Sequence, residues 1–447
     1  MPHAIPFAAP AAVALAALLA VGCTDAPAES NPPTAGDRGP DEAVREQLAA
    51  AHAVNDFGVR LYHELAKADD AGNLFFSPFS ISSALAMTWE GARGETAAQM
   101  ANVLALPGEG EQRWGNARFH AAMGSLTQRY NRDDLPYELR VANALWGERT
   151  MPFRDAYLDA VRPHYDAGFE AVNFREQPGD ARERINDWVE QQTQDRIQDL
   201  MPAESITPDT RLVLTNAIYF LGAWHSPFHE ANTKDRGFHD HGGDGRVPVP
   251  TMFQSRLDAR HMTGEGFQAV ELPYEGGDLA MVILLPDDFD GAVARPEELD
   301  GLAALEARLT ADALADWLGQ LDRRQVNLYL PKFHVETEYT LNDTLAAMGM
   351  PLAFDERRAD FTGLTDSAEG DALSIQHVVH KAFVNVDEEG TEAAAATGFA
   401  AGELSMPADP PVEVRVDRPF VYVIQDRATG AVLFMGRVVA VGEGDDK

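Results

Sequence analysis

From Asp41 onward, hydrophobic positions recur at three- and four-residue steps: Val44, Leu48, Ala51, Val54, Phe57, Leu61 and Leu65. That spacing lines them along one face and predicts a long amphipathic helix at the start of a folded domain. The same period predicts helices around residues 80–90, 95–104, 180–199 and 339–348. Later the period changes. Continuous apolar runs at Leu212–Phe220, Leu279–Leu285, Phe420–Ile424 and Val432–Met435 predict strands buried on both faces. Val326, Leu328 and Leu330 alternate with polar residues, as do Val412, Val414 and Val416, and these predict half-exposed strands. Helices gather in the first half and strands in the second, which places the chain in the α+β class. No internal repeat is visible.

No Pro- or Gly-rich hinge interrupts this pattern, so residues 45–447 read as one large domain. Ahead of it, the apolar run of residues 8–21 is too short for a comfortable membrane span but suits a signal-peptide core, giving a leader over 1–22. Ala20, Val21 and Gly22 precede Cys23, and small residues before a lone cysteine resemble a bacterial lipobox, in which the thiol receives a lipid. A plain secretory signal cut near the same place is the alternative. Residues 23–44 then form a Pro-, Gly- and Ser-containing tether expected to be disordered. The expected location is periplasmic or at the cell surface, as an outer-membrane lipoprotein whose only membrane contact is the lipid, or otherwise secreted.

The net charge of -35 argues against nucleic acid and anionic lipid as partners, because a polyanion is repelled at long range. Cys23 is the single cysteine, which excludes an intramolecular disulfide and a Cys-rich zinc site. No G-x-S-x-G elbow, P-loop, H-E-x-x-H or dinucleotide fingerprint occurs, and no cofactor is expected. His225, His229, His239 and His241 could supply imidazole ligands, but solvated histidines are the plainer reading. Asp287, Asp288 and Asp290 lack the Gly and Glu spacing of an EF-hand and read as a turn.

The least anchored stretch is Glu388–Ser405, EEGTEAAAATGFAAGELS, small and polar between two strand-like regions. Its E-E-G-T followed by four alanines and a threonine resembles the hinge of the serpin family. NLFFSPFSISSALAM from Asn73, LTNAIYFLGAWHSPF from Leu214, LYLPKF from Leu328 and DRPFVYVIQDRATGAVLFMGRV from Asp417 resemble family blocks in the family's order. The resemblance spans roughly residues 45–440.

It implies helices packed around three β-sheets, a large central sheet and an exposed reactive loop over 388–410. It also implies a non-enzymatic, single-use protease inhibitor, acting as a monomer: the target forms an acyl-enzyme on the loop, and the cleaved loop then inserts as a new strand before deacylation. The hinge would comprise Glu388, Glu389, Gly390, Thr391, Glu392, Ala393, Ala394, Ala395, Ala396 and Thr397. In an inserted strand, Thr391, Ala393, Ala395 and Thr397 would face inward, and Glu392, Ala394, Ala396 and Gly398 outward. Gly390 would give backbone freedom where strand turns into loop.

Counting along the loop as the family does puts the reactive bond at Leu404–Ser405, with Phe399, Glu403 and Met406 as competing positions. Leu404 would suit a chymotrypsin-like or elastase-like serine protease, or a papain-like cysteine protease. Ser80, Asn216 and His380 match the shutter under the central sheet, and Trp224, Lys332 and Glu388 match the breach where insertion begins. Leu221 departs from the lysine frequent there. Two other readings stay open: a non-inhibitory binding protein or chaperone of the same fold, and an acidic hydrolase with a dispersed site. Small inward hinge residues favour the inhibitor.

Overall fold

Residues 40–69, 71–132, 134–165, 168–240, 246–287, 301–366, 373–391 and 410–441 are described by a computed structural model. The expected leader, Cys23 and the part of the expected tether up to Gly39 lie outside the described residues, as do His241, Asp288 and Asp290. So does the loop from Glu392 to Asp409, with Ala393, Ala394, Ala395, Ala396, Thr397, Phe399, Glu403, Leu404, Ser405 and Met406.

The first helical period becomes α1 (Pro40–Ala68), which starts five residues before the expected boundary at 45. Asp41 and Glu42 sit in its first turn, where they complement the positive end of the helix dipole. Ala51, Val54, Phe57, Leu61 and Leu65 are buried as the period requires, while Val44 and Leu48 are exposed. The other helices are α2 (Pro78–Gly91), α3 (Gly94–Val103), α4 (Asn116–Tyr130), α5 (Asp155–Tyr165), α6 (Pro178–Gln192), α7 (Gly301–Glu306), α8 (Ala311–Gly319) and α9 (Asn342–Met348).

Two of them are shorter than their period suggests. The helix expected over 180–199 ends at Gln192, because Thr193 Oγ1 bonds Val189 O and accepts from Ile197 N, and Gln194, Asp195 and Asp199 take positive φ. The helix expected over 339–348 begins at Asn342, because Tyr339 and Thr340 are held in a ladder opposite His380 and Val379.

Strands along the chain are β1 (Leu74–Phe76), β2 (Tyr137–Glu148), β3 (Gly168–Val172), β4 (Leu212–Ala223), β5 (Lys234–His239), β6 (Arg246–Thr263), β7 (Phe267–Pro273), β8 (Leu279–Pro286), β9 (Asp322–Pro331), β10 (Phe333–Thr340), β11 (His377–Val386), β12 (Gly390–Thr391), β13 (Val412–Arg415), β14 (Phe420–Asp426) and β15 (Val432–Val438). Hydrogen bonding groups the described strands into two sheets rather than three. One has six strands in the order β10-β11-β12-β4-β2-β3; the other runs β1-β15-β14-β8-β7-β6-β9-β13, with β5 on β6. Within the second, β6 slips register against β9 between Gln254 and Leu257, and Arg256 takes φ 53°. Such a bulge bends and twists a strand, so one ladder serves the two sheets that the family pattern counts separately.

The six-stranded sheet has a core on each face. On one side α1 and α2 and the nine-stranded sheet bury residues such as Leu145, Leu214 and Ile218. On the other, Ile185 and Val189 of α6 cover Ala144, Trp146, Val213 and Ala217. A sheet buried on both faces explains why β4 reads as an unbroken apolar run.

Candidate functional site: the seam of the central sheet

β11 and β4 form a seam that is shut at one end and wedged open at the other. From His377 opposite Val213 to Ala382 opposite Ile218 they pair directly and in parallel. Above that, the chain turns through Asp387–Glu389 and comes back as β12, antiparallel to both neighbours: Thr391 lies opposite Val386 on β11 and Gly222 on β4. The turn is closed by Asp387 N donating to Gly390 O, and by Glu389 N and Gly390 N donating to Asp387 Oδ1. Gly390 serves close approach rather than unusual φ: a Cβ there would lie 2.1 Å from Gly222 O. The stretch expected as an exposed loop is therefore not wholly outside the sheet: Gly390 and Thr391 already stand in it as a strand.

Thr391 faces inward, as strand alternation requires, and is 1% exposed. Its hydroxyl pairs with that of Tyr274 at 2.7 Å, and the Tyr274 ring stacks on Trp224 at 4.7 Å. Trp224 holds the turn from the other side: its indole Nε1 donates to Asp387 O and its backbone N to Glu389 O. Lys332 Nζ lies 2.9 Å from Glu388 Oε2, and Thr233 Oγ1 donates to Glu388 Oε1 at 2.6 Å. Burial pushes the Glu388 carboxyl up, but the bonds from Thr233 and Lys332 outweigh it and hold it below the usual range. Trp224, Lys332 and Glu388 thus meet at the point where β12 enters.

Below the wedge, Ser80, Asn216 and His380 also come together, and the structure adds Ser77 and Asn143 to them. Asn216 Nδ2 donates to Ser80 Oγ and to Asn143 Oδ1, and its Oδ1 accepts from His380 Nδ1. Ser80 Oγ donates to Asn143 Oδ1 at 3.1 Å, while Asn143 Nδ2 returns a bond to Ser80 O at 3.2 Å. Ser77 N donates to His380 Nε2 at 3.2 Å, which fixes the proton on Nδ1 and the ring as neutral. Burial lowers the His380 pKa from 6.5 to about 3. Ser77 also caps α2, accepting from Ser80 N, and donates to Leu433 O of β15. The network therefore ties α2 and the second sheet to the strands on either side of the seam.

Asn143, Ser77, Tyr274 and Thr233 escaped the sequence reading. Asn143 carried a signal, an amide within the apolar run from Val141 to Trp146 of β2, which predicts a buried bonded group. Of the histidine-rich stretch, His225 and His229 are exposed, and His239 Nε2 accepts from Arg246 Nε. Among the described residues no three His, Cys, Asp or Glu gather as metal ligands.

The fold and the seam together define a protein whose six-stranded sheet takes the two-residue strand β12 between β11 and β4 at one end of their seam. The family model for serpins, serine protease inhibitors, matches residues 52–441, and the chain belongs to the serpin family. It is 39% identical over 400 residues to an uncharacterized serpin-like protein of Thermococcus kodakarensis, covering 89% of this chain and 87% of that one. It is also 39% identical over 396 residues to the leukocyte elastase inhibitor of Bos taurus, covering 88% of this chain and 99% of that protein. Among solved structures, Serpin48 of the insect Tenebrio molitor matches with a TM-score of 0.74 at 30% identity, over 91% of this chain and all (100%) of that one. Uncleaved ovalbumin matches with a TM-score of 0.75 at 29% identity, covering 88% of this chain and 100% of that one.

Proposed function

We propose that the chain is a single-use inhibitor of a chymotrypsin-like or elastase-like serine protease. The observation that carries this reading is β12: Gly390 and Thr391 already occupy the place a full inserted strand would take, in the right register and with Thr391 inward. The leukocyte elastase inhibitors among its relatives support a protease target of the elastase kind. On this reading the target's nucleophile attacks the carbonyl of Leu404, Ser405 leaves as a new amino terminus, and Leu404 remains esterified to the protease. The freed loop then adds to β12 and carries the acyl-enzyme along the seam. Roughly ten new backbone hydrogen bonds at about 1 kcal/mol each match the whole stability of an ordinary domain, ample to drive the movement.

The test is a denaturant-stable complex with an elastase- or chymotrypsin-type protease, coupled to parity along the hinge. Thr391 is already buried, so an arginine there would disturb the uncleaved protein as well. Ala395→Arg places a charge at an inward position and should turn the protein into a substrate, because insertion would bury an unpaired guanidinium. Ala396→Arg, one residue on and outward, should still trap. Equal trapping by both variants would sink insertion as the mechanism; clean turnover of the wild-type loop by every protease in a broad panel would favour a non-inhibitory serpin.

We propose in addition that Cys23 carries a lipid that holds the domain at a membrane surface. Detergent-phase partition of the full chain, abolished in Cys23→Ala, is the measurement that decides it.

A further inference from the structure

The lower end of the seam is fastened by a side chain that no family block pointed to. Gln376 lies one residue before β11, and its amide reaches across to the segment leading into β4. Arg211 N and Leu212 N both donate to Gln376 Oε1, the latter at 3.3 Å. Gln376 Nε2 donates to Asp209 O at 2.9 Å. Its backbone N donates to Leu212 O at 3.2 Å, so one residue makes four bonds across the gap. On its own side Gln376 is anchored elsewhere: Asn342 Nδ2, at the start of α9, donates to Gln376 O at 2.8 Å, and Asn342 Oδ1 accepts from Val378 N at 3.0 Å. Parting the seam moves Gln376 with β10 and α9, and pulls its side chain away from residues 209–212.

The register of β12 says when that must happen. Thr391 stands opposite both Gly222 and Val386. Continued along both neighbours without slip, this register brings Ala401 between Leu212 and Gln376. Insertion as far as Ala400 needs the β4 and β11 ladder, and the Asn216–His380 bond across it, to part while Gln376 stays in place. Carrying the chain on the four residues to Leu404 needs Gln376 to let go, and that last stretch moves an attached protease by about 13 Å, at about 3.3 Å per residue.

We infer that Gln376 is an end stop for loop insertion: a positioning residue whose side chain holds the lower seam shut and divides insertion into a first run and a final step. This inference rests on the insertion reading above and deepens it. Gln376→Met keeps the length of the side chain and removes its three amide bonds, while Gln376→Glu keeps the acceptor for Arg211 and Leu212 and sets a carboxylate against Asp209 O.

Two measurements test it on the full chain. In the uncleaved protein, amide exchange at Arg211 and Leu212 should rise by about tenfold or more in Gln376→Met, and less in Gln376→Glu, with exchange at Ala382 unchanged. In the reaction with protease, fluorescence transfer between a donor on the protease and an acceptor at exposed Glu204→Cys should show a final phase that Gln376→Met speeds by a similar factor, about tenfold, without changing the rate of acylation. Unchanged exchange at residues 211–212, or a final phase indifferent to the substitution, overturns the end stop. A wild-type protein that traps no protease overturns the inhibitor reading instead, and the exchange comparison still decides whether Gln376 fastens the seam.

Discussion

The middle and the top of the seam are built from opposite materials. In the middle, Ser77, Ser80, Asn143, Asn216 and His380 are all buried, neutral and bonded to one another or to backbone. At the top, the restraint is a charge pair whose lysine is 41% exposed, beside an aromatic stack and a two-residue strand that has already parted β4 from β11. The cation of that pair is open to water, and Glu388, itself buried, keeps its bond from Thr233 when the lysine leaves, so the pair costs less to break than a wholly dry network. A dry polar network has no such substitute, and losing one member strands the others. On the insertion reading proposed above, the contrast would give the two regions different work: the top would start insertion, and the middle would resist it until a strand arrived to replace the lost bonds.

The largest effect that would break this comparison is at Asn216. Asn216→Ala removes an acceptor from His380 Nδ1 and a donor shared by Ser80 and Asn143, all within a site water does not reach. The expected loss is about 3 kcal/mol of native stability, read from the urea midpoint at constant slope. A loss below about 1 kcal/mol would mean that the middle is not where opening is resisted.

Acid should separate the two regions. His380 has a folded pKa near 3 against 6.5 when unfolded, so between those values the unfolded chain binds the extra proton and the fold loses stability as pH falls. The loss attributable to this residue is roughly 2 kcal/mol at pH 5. Glu388 works in a lower window: its carboxyl is held below 4.5, so its contribution is present above that value and disappears only as pH drops through the folded pKa. His380→Gln should flatten the slope of stability between pH 5 and 6.5 relative to wild type. If both proteins keep the same slope there, His380 is not the group that titrates.

How much of this was legible in the sequence follows the physics of each element. Runs buried on both faces, such as Leu212–Phe220 and Leu279–Leu285, were found because burial leaves them almost no polar interruption. β2 was missed although it lies beside β4, because Arg140 and Asn143 interrupt its apolar positions, and Asn143 is held there by its bonds to Asn216 and Ser80. α4 was missed for a related reason: its buried face includes His120 and Thr127, which a hydrophobic count does not score. The site residues Ser80, Asn216, His380, Trp224, Lys332 and Glu388 were reached through resemblance to family blocks, and the structure brings each set together. No local pattern could show that Gly390 and Thr391 stand in the sheet between β11 and β4. That depends on the fit of Gly390 against Gly222 O and on Tyr274, residues far apart in sequence.

The smallest effect sharpens the comparison from the other side. Lys332→Met keeps most of the side-chain packing and removes the cation opposite Glu388, which retains its bond from Thr233. Because Lys332 is substantially exposed, the stability lost should be about 0.5 kcal/mol or less. The local consequence should be larger than the global one. The turn above β12 is held partly through Glu388, so exchange should rise at the Phe228 and Trp224 amides, which donate to Glu388 O and Glu389 O, and stay unchanged at residues tied to the shutter. Salt supplies an independent check, since raising ionic strength screens a pair that solvent reaches and leaves the dry network untouched. About 1 M salt, where the screening length is about 3 Å, should therefore reproduce the exchange pattern of Lys332→Met in the wild type and add nothing in the variant. If Lys332→Met instead lowers stability as far as Asn216→Ala does, the top of the seam resists opening as strongly as its middle, and the division between trigger and barrier fails.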